Sequence, residues 1–177
     1  IEYAPDREIV VTVGAMGALF LALMSVLNPG EEVLISDPSW PNYYAQILLA
    51  GGKPVFVPTK EEEGWILTPE RIAERLTANT RVIIINSPAN PTGSVYGVKH
   101  LEQIARIAKE NNLLVISDEC YEKIIYETEH KSIASLKDMQ SRTLVINSFS
   151  KAYAMTGWRV GYALGDEQII RQMTKLQ

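Results

Sequence analysis

The stretch RTLVINSFSKAYAMTGWRVGYAL, residues 142–164, carries the decision about the fold. Two runs rich in apolar residues, RTLVIN (142–147) and WRVGYAL (158–164), flank a segment that holds Ser148, Ser150 and Lys151, and Arg159 stands at the head of the second run. The first run is apolar almost throughout instead of alternating, which is the pattern of a strand covered on both faces. A lysine just beyond such a strand is either solvated beside a turn or placed to hold something. The rest of the chain decides between these readings.

Working outward, EIVVTV (8–13), EEVLIS (31–36), KPVFVP (53–58), RVIIIN (81–86) and NLLVIS (112–117) read as strands of the same kind. Helical segments lie between several of them. AMGALFLALMSVL (15–27) is apolar nearly all round, which predicts a buried helix, and NPG at 28–30 stops it. In TPERIAERL (68–76), Thr68 stands at the N-cap and Pro69 at the first helical position. VKHLEQIARIAKENN (98–112) places Leu101, Ile104, Ala105 and Ala108 at helical spacing, and RQMTKLQ closes the chain in a helical pattern. This alternation predicts an α/β fold, a three-layer α/β/α sandwich on a mostly parallel seven-stranded sheet. KEEEGW (60–65) reads as a solvated turn. No linker or internal repeat divides the chain, so residues 1–177 read as one domain.

A net charge of −4 argues against nucleic acid or an anionic membrane as the main partner, while leaving room for one small anion at a local site. The single cysteine, Cys120, cannot form an internal disulfide, which suits a reducing cytoplasm. It reads as a small hydrophobe near a strand end. No apolar run reaches transmembrane length and no signal peptide is visible. His100 and His130 read as surface residues, and no cluster has metal-ligand spacing, so no metal is expected. The chain starts at Ile1 and stops inside a helical pattern; both ends read as cut, and a longer protein is expected.

In open α/β sheets, ligands bind beyond the carboxyl ends of the strands. Gly14, Ala15 and Met16 follow the first run, DPSWPNYY with Trp40 the second, and SPANPTG with Asn90 the fourth. DECY with Asp118 and Tyr121 follows the fifth, and SFSK with Ser148, Ser150 and Lys151 the sixth. Each has a bland reading alone: a glycine turn, a core tryptophan, a common turn sequence, a capping aspartate, a solvated lysine. Together they bring an amine, a carboxylate, an aromatic plate and hydroxyls to one sheet edge.

An aldehyde cofactor with a phosphate and a pyridine ring fits this set. Lysine forms an imine with an aldehyde, and a carboxylate facing the ring nitrogen keeps it protonated. An aromatic side chain holds the ring face. A helix N-terminus, hydroxyls and an arginine take the phosphate. The cofactor with these features is pyridoxal 5'-phosphate.

At SFSKAYAMTGWRVGYA (148–163), DECY (118–121), NSPANPTG (86–93), DPSWPNY (37–43) and VTVGAMGALF (11–20), the sequence resembles the large domain of the class I/II aminotransferases, fold-type I pyridoxal-phosphate enzymes. The aspartate aminotransferase-like group is the most similar. These motifs span nearly the whole chain in family order. The resemblance implies Lys151 as the Schiff-base lysine and proton shuttle, and Asp118 as the partner of the pyridinium nitrogen. It implies Tyr121 and Asn90 on the cofactor's 3-oxygen, and Trp40 stacked on the ring. The phosphate falls to the Gly14 turn with the N–H groups of Ala15 and Met16, and to Ser148 and Arg159. Ser150 either supports the lysine or shares the phosphate, and Asn86 stands behind the first layer. Where many relatives have a second small residue or a lysine, this chain has Met16, a change that a backbone contact tolerates.

The resemblance also implies what lies elsewhere. The small domain, with the arginine that grips the substrate carboxylate, falls outside these 177 residues. So does the segment that offers a tyrosine to a neighbouring subunit. The implied activity is transamination between an amino acid and a 2-oxo acid in a homodimer, with the isolated chain inactive. A carbon–sulfur lyase of the same fold shares these residues. A pyridoxal-phosphate-sensing domain of a transcription regulator is the rival from another class, and a DNA-binding segment ahead of Ile1 would mark it.

Overall fold

The computed structural model describes all residues from Ile1 to Gln177. Its strands are β1 (Ile9–Val13), β2 (Glu32–Asp37), β3 (Lys53–Pro58), β4 (Thr80–Asn86), β5 (Leu114–Asp118), β6 (Thr143–Ser148) and β7 (Val160–Leu164). Its helices are α1 (Gly14–Val26), α2 (Pro41–Leu49), α3 (Pro69–Ala73), α4 (Val98–Glu110), α5 (Phe149–Ala152) and α6 (Glu167–Leu176). All seven expected strands form, in one sheet of order β1-β7-β6-β5-β4-β2-β3. Neighbours from β6 through β3 pair in parallel. Only β7 runs against both its neighbours, β1 and β6.

The continuous apolar runs have the cause the pattern suggested. Along β2, Val33 and Ile35 enter one hydrophobic cluster while Leu34 enters the other, on the opposite face. In β4, Val82 and Ile84 face the first cluster, Ile83 and Ile85 the second. Successive strand side chains point to opposite faces, so a strand buried twice must be apolar at every position. Helices α1, α2 and α6 close the first face through Leu19, Leu23, Ile47, Ile170 and Met173. Helices α3 and α4 close the second through Ile72, Leu101 and Ile104.

Three expectations change. Helix α1 is not buried all round: Met16, Phe20 and Met24, one turn apart, are 41%, 36% and 40% exposed. Only the stripe that carries Ala18, Leu19, Ala22 and Leu23 meets the sheet. The helix at 68–76 is one short turn, Pro69–Ala73, and the Thr68 hydroxyl caps nothing. Helix α2 was not foreseen; it starts after Trp40 with Pro41 at the first helical position and no side-chain cap.

Candidate active site

Strands β1, β2, β4, β5 and β6 all end at one edge, and β7 begins there because it runs the other way. Val13 lies opposite Val160, and Ser148 opposite Gly161. That register brings the Gly14 turn, the Ser148–Lys151 segment and Arg159 side by side. A cavity of about 260 Å³ opens there, lined by Ala15, Met16, Trp40, Asn90, Asp118, Tyr121, Ser148, Ser150, Lys151 and Arg159, with Tyr43, Asn86, Cys120 and Thr156. Gly14 forms the turn beneath this lining. Every residue that the resemblance assigns to the cofactor is therefore at the cavity or immediately under it.

The floor is built by close backbone approach. A Cβ on Gly161 would sit 2.4 Å from the Gly14 carbonyl carbon and 2.5 Å from the Ala15 nitrogen. Gly14 itself has φ +67°, and a Cβ there would meet Arg159 Nη2 at 2.6 Å. Thr12 Oγ1 donates to the Gly14 carbonyl at 2.9 Å and fixes the turn into α1. No side chain caps that helix and no acidic residue lies in its first turn. The N–H groups of Ala15 and Met16 thus have no partner within the helix and offer a partial positive charge.

Arg159 stands at φ 53°, ψ 47°, a left-handed conformation uncommon outside glycine. Its Nη1 donates to the Thr156 carbonyl at 2.9 Å, and no carboxylate pairs with it. Lys151, presented by the short α5, likewise has no ion pair; its Nζ lies 5.8 Å from the centre of the Tyr121 ring. Two unpaired cations, free helix N–H groups and the Ser148 hydroxyl make one end of the site anion-seeking.

The other end carries a buried carboxylate. Asp118 is buried, and that burial raises its carboxyl above the ordinary range. Tyr43 donates its hydroxyl to Asp118 Oδ2 at 2.6 Å, and the Cys120 backbone N–H donates to Oδ1 at 3.2 Å. These bonds pull the other way without overcoming burial. Trp40 meets Tyr43 edge-on, ring centres 5.4 Å apart at 85°. Asn86 Nδ2 donates to the carbonyls of Pro88 and Asp118, and its Oδ1 accepts from the Asn90 backbone N–H at 2.7 Å. Asn86 therefore ties the Asn90 loop to the Asp118 strand.

The donor set fits pyridoxal phosphate: an anion cradle floored by two glycines, a free amine, and a buried carboxylate with an aromatic side chain nearby. Tyr43 carries no local sequence signal for this role, because its bond to Asp118 spans 75 residues. His130 corrects an expectation. It is not a surface residue: its side chain is 13% exposed and Nε2 lies 2.8 Å from Glu119 Oε2. The ligating atoms of Glu119, Glu122 and His130 fall within 4.8 Å of one another, a grouping that spacing alone did not show. Glu119 is already engaged by Ser117, Ser132 and His130, so the group reads as a hydrogen-bonded cluster.

The family model for aminotransferase class I and II matches residues 1–177. The chain belongs to the class I and II aminotransferases. It is 49% identical to an aspartate aminotransferase of Pyrococcus abyssi over 100% of this chain and 46% of the relative. It is 47% identical to one of Bacillus sp. (strain YM-2) over 99% of this chain and 45% of that protein. Among solved structures, an aromatic aminotransferase from Pyrococcus horikoshii OT3 superposes with TM-score 0.98 at 48% identity, covering 99% of this chain and 48% of that one. The chain spans somewhat under half the length of these family members. Like them it has the mixed, mostly parallel sheet, and no helix in it is long and apolar enough to cross a membrane.

Proposed function

We propose that this chain is the cofactor-binding large domain of a pyridoxal-phosphate-dependent aminotransferase that exchanges an amino group between an amino acid and a 2-oxo acid. The observation that carries the reading is that one cavity holds both an unpaired lysine and a buried carboxylate, with a glycine-floored anion cradle. Bound there, pyridoxal phosphate supplies an aldehyde that takes up amines and a ring that withdraws electrons from the carbon beside the amine.

The chain's own residues supply the rest. Ala15 and Met16 N–H groups, Ser148 and Arg159 hold the phosphate, with Ser150 beside them. Asp118 would keep the ring nitrogen protonated, and Trp40 would hold the ring face. Tyr121 and Asn90 hold the 3-oxygen. Lys151 Nζ anchors the aldehyde end and then moves the proton taken from the substrate α-carbon. A relative named for aspartate and one named for aromatic substrates are about equally similar to this chain, so similarity does not choose the amino acid. The exposed Met16, Phe20 and Met24 stripe suits a subunit contact in a homodimer. One unpaired cysteine suits the cytoplasm.

The test is Lys151→Ala in the complete protein. Amino-group exchange is expected to vanish, and borohydride is expected to fix the cofactor to Lys151 in the unaltered protein and to leave the variant unlabelled. Retained exchange would sink the mechanism.

A further inference from the structure

The segment from β5 to β6 leaves the sheet at Glu119 and runs to Ser132 without helix or strand. Tyr121 stands near its start, at the cavity, and the exposed Ile124 and Tyr126 lie further along. Both ends of this loop meet at one carboxylate. Glu119 Oε1 accepts from Ser117 Oγ at 2.8 Å and from Ser132 Oγ at 2.7 Å, while His130 Nε2 lies 2.8 Å from Oε2. Glu119 is 3% exposed and has no lysine or arginine partner. A carboxylate buried this way persists only because hydrogen bonds replace its water.

The same residue is locked through its backbone. Its N–H donates to the Ile146 carbonyl of β6 at 2.9 Å, and its carbonyl accepts from Glu122 N–H at 2.9 Å, closing a turn around Tyr121. The Tyr121 carbonyl accepts from Ile124 N–H at 2.8 Å. Beyond these turns, the returning limb of the loop is held at its base by His130 and Ser132.

We infer that Glu119, His130 and Ser132 form a clasp that sets where Tyr121 stands over the cavity. They are positioning residues; they act through Tyr121, and this rests on the reading of the cavity as a cofactor site. Opening the base frees the loop to fluctuate, because a loop with few buried contacts has little local stability of its own. Tyr121 then loses its fixed place.

The experiment uses the complete protein with His130→Ala, His130→Gln and Ser132→Ala, each alone and combined with Tyr121→Phe. Amide exchange of the cofactor-free protein reads the clasp directly. His130→Ala is expected to speed exchange across residues 121–126 by about tenfold, the loss of one charged hydrogen bond. His130→Gln, which keeps an N–H donor, restores much of it, and Ser132→Ala gives a smaller effect of the same pattern. Unchanged exchange in His130→Ala and Ser132→Ala would overturn the clasp whatever the cavity binds.

Titration with pyridoxal phosphate, followed by its absorbance, reads the consequence. His130→Ala is expected to weaken binding about tenfold in the Tyr121 protein and about twofold or less in the Tyr121→Phe background, because coupled residues are not additive. Equal losses in both backgrounds would show that His130 acts on stability and not through Tyr121. Failure of the unaltered protein to bind the cofactor would refute the cavity reading, a result separate from the exchange data.

Discussion

Two buried carboxylates stand at opposite edges of the sheet and are treated in opposite ways. Glu32 opens β2 at the amino edge and is surrounded by donors: Thr77 Oγ1 at 2.6 Å, Lys53 Nζ at 3.0 Å and Thr80 Oγ1 at 3.3 Å. The Thr77 bond is the largest cause that holds its carboxyl below the ordinary range, with Lys53 and Thr80 adding to it. Asp118 closes β5 at the carboxyl edge with one hydroxyl and one backbone N–H, and burial holds it above the ordinary range. A finished carboxylate supports the fold. An unfinished one, in the same cavity as two unpaired cations, is kept at a cost in stability and marks a site that completes itself with a ligand.

The largest effect expected from breaking this contrast is at Asp118. In the complete protein, Asp118→Asn should lower turnover about 10³-fold, the scale of a preorganised electrostatic group, while some cofactor still binds. The same change should raise the stability of the cofactor-free protein at pH 7. The sign follows from a raised folded-state carboxyl: the native state binds the proton more readily, so stability falls as pH rises from the ordinary carboxylate range through the folded value. Asparagine removes that slope. A variant less stable than the parent at pH 7, measured by thermal unfolding without cofactor, would break the contrast.

Glu32→Gln should do the reverse. Turnover stays within about twofold, and stability falls by about 1–2 kcal/mol as charged hydrogen bonds become neutral ones. Because the folded-state carboxyl is lowered, its contribution is present above the ordinary value of 4.5 and is lost as pH falls through the folded value. The variant should therefore show a flatter acid limb in denaturant unfolding. An acid limb as steep as the parent's would show that Glu32 is not the group that titrates.

The strands were legible because a strand buried on both faces must be apolar at each position, as in VIII-type runs such as Val82–Ile85. Lys151, Asp118 and Asn90 were legible because each follows such a strand at its carboxyl end. Arg159 is different: it reaches the site only because β7 runs antiparallel, which no local pattern announces. Helix α2 was hidden because PNYYAQILL is short, opens with two adjacent tyrosines and has no capping side chain, so Tyr43 was hidden with it. His130 was misread because ETEHKS is polar, and polarity does not reveal that Glu119, eleven residues back, is buried. The apolar character of α1 was legible, but not which stripe of it meets the sheet.

The smallest change sharpens the contrast most finely. Tyr43→Phe keeps the ring that meets Trp40 edge-on and removes only the hydroxyl that reaches Asp118. Asp118 then keeps only its bonds from Cys120, so its carboxyl should rise further. The cofactor-free protein should lose about 1 kcal/mol, the net value of one hydrogen bond, and less below the ordinary carboxylate range, where protonated Asp118 no longer needs the donor. Combining Tyr43→Phe with Asp118→Asn tests whether the hydroxyl acts through that carboxylate. If it does, the two stability changes are non-additive. If they simply add, the hydroxyl serves the packing of α2 and Asp118 is held by burial and backbone alone.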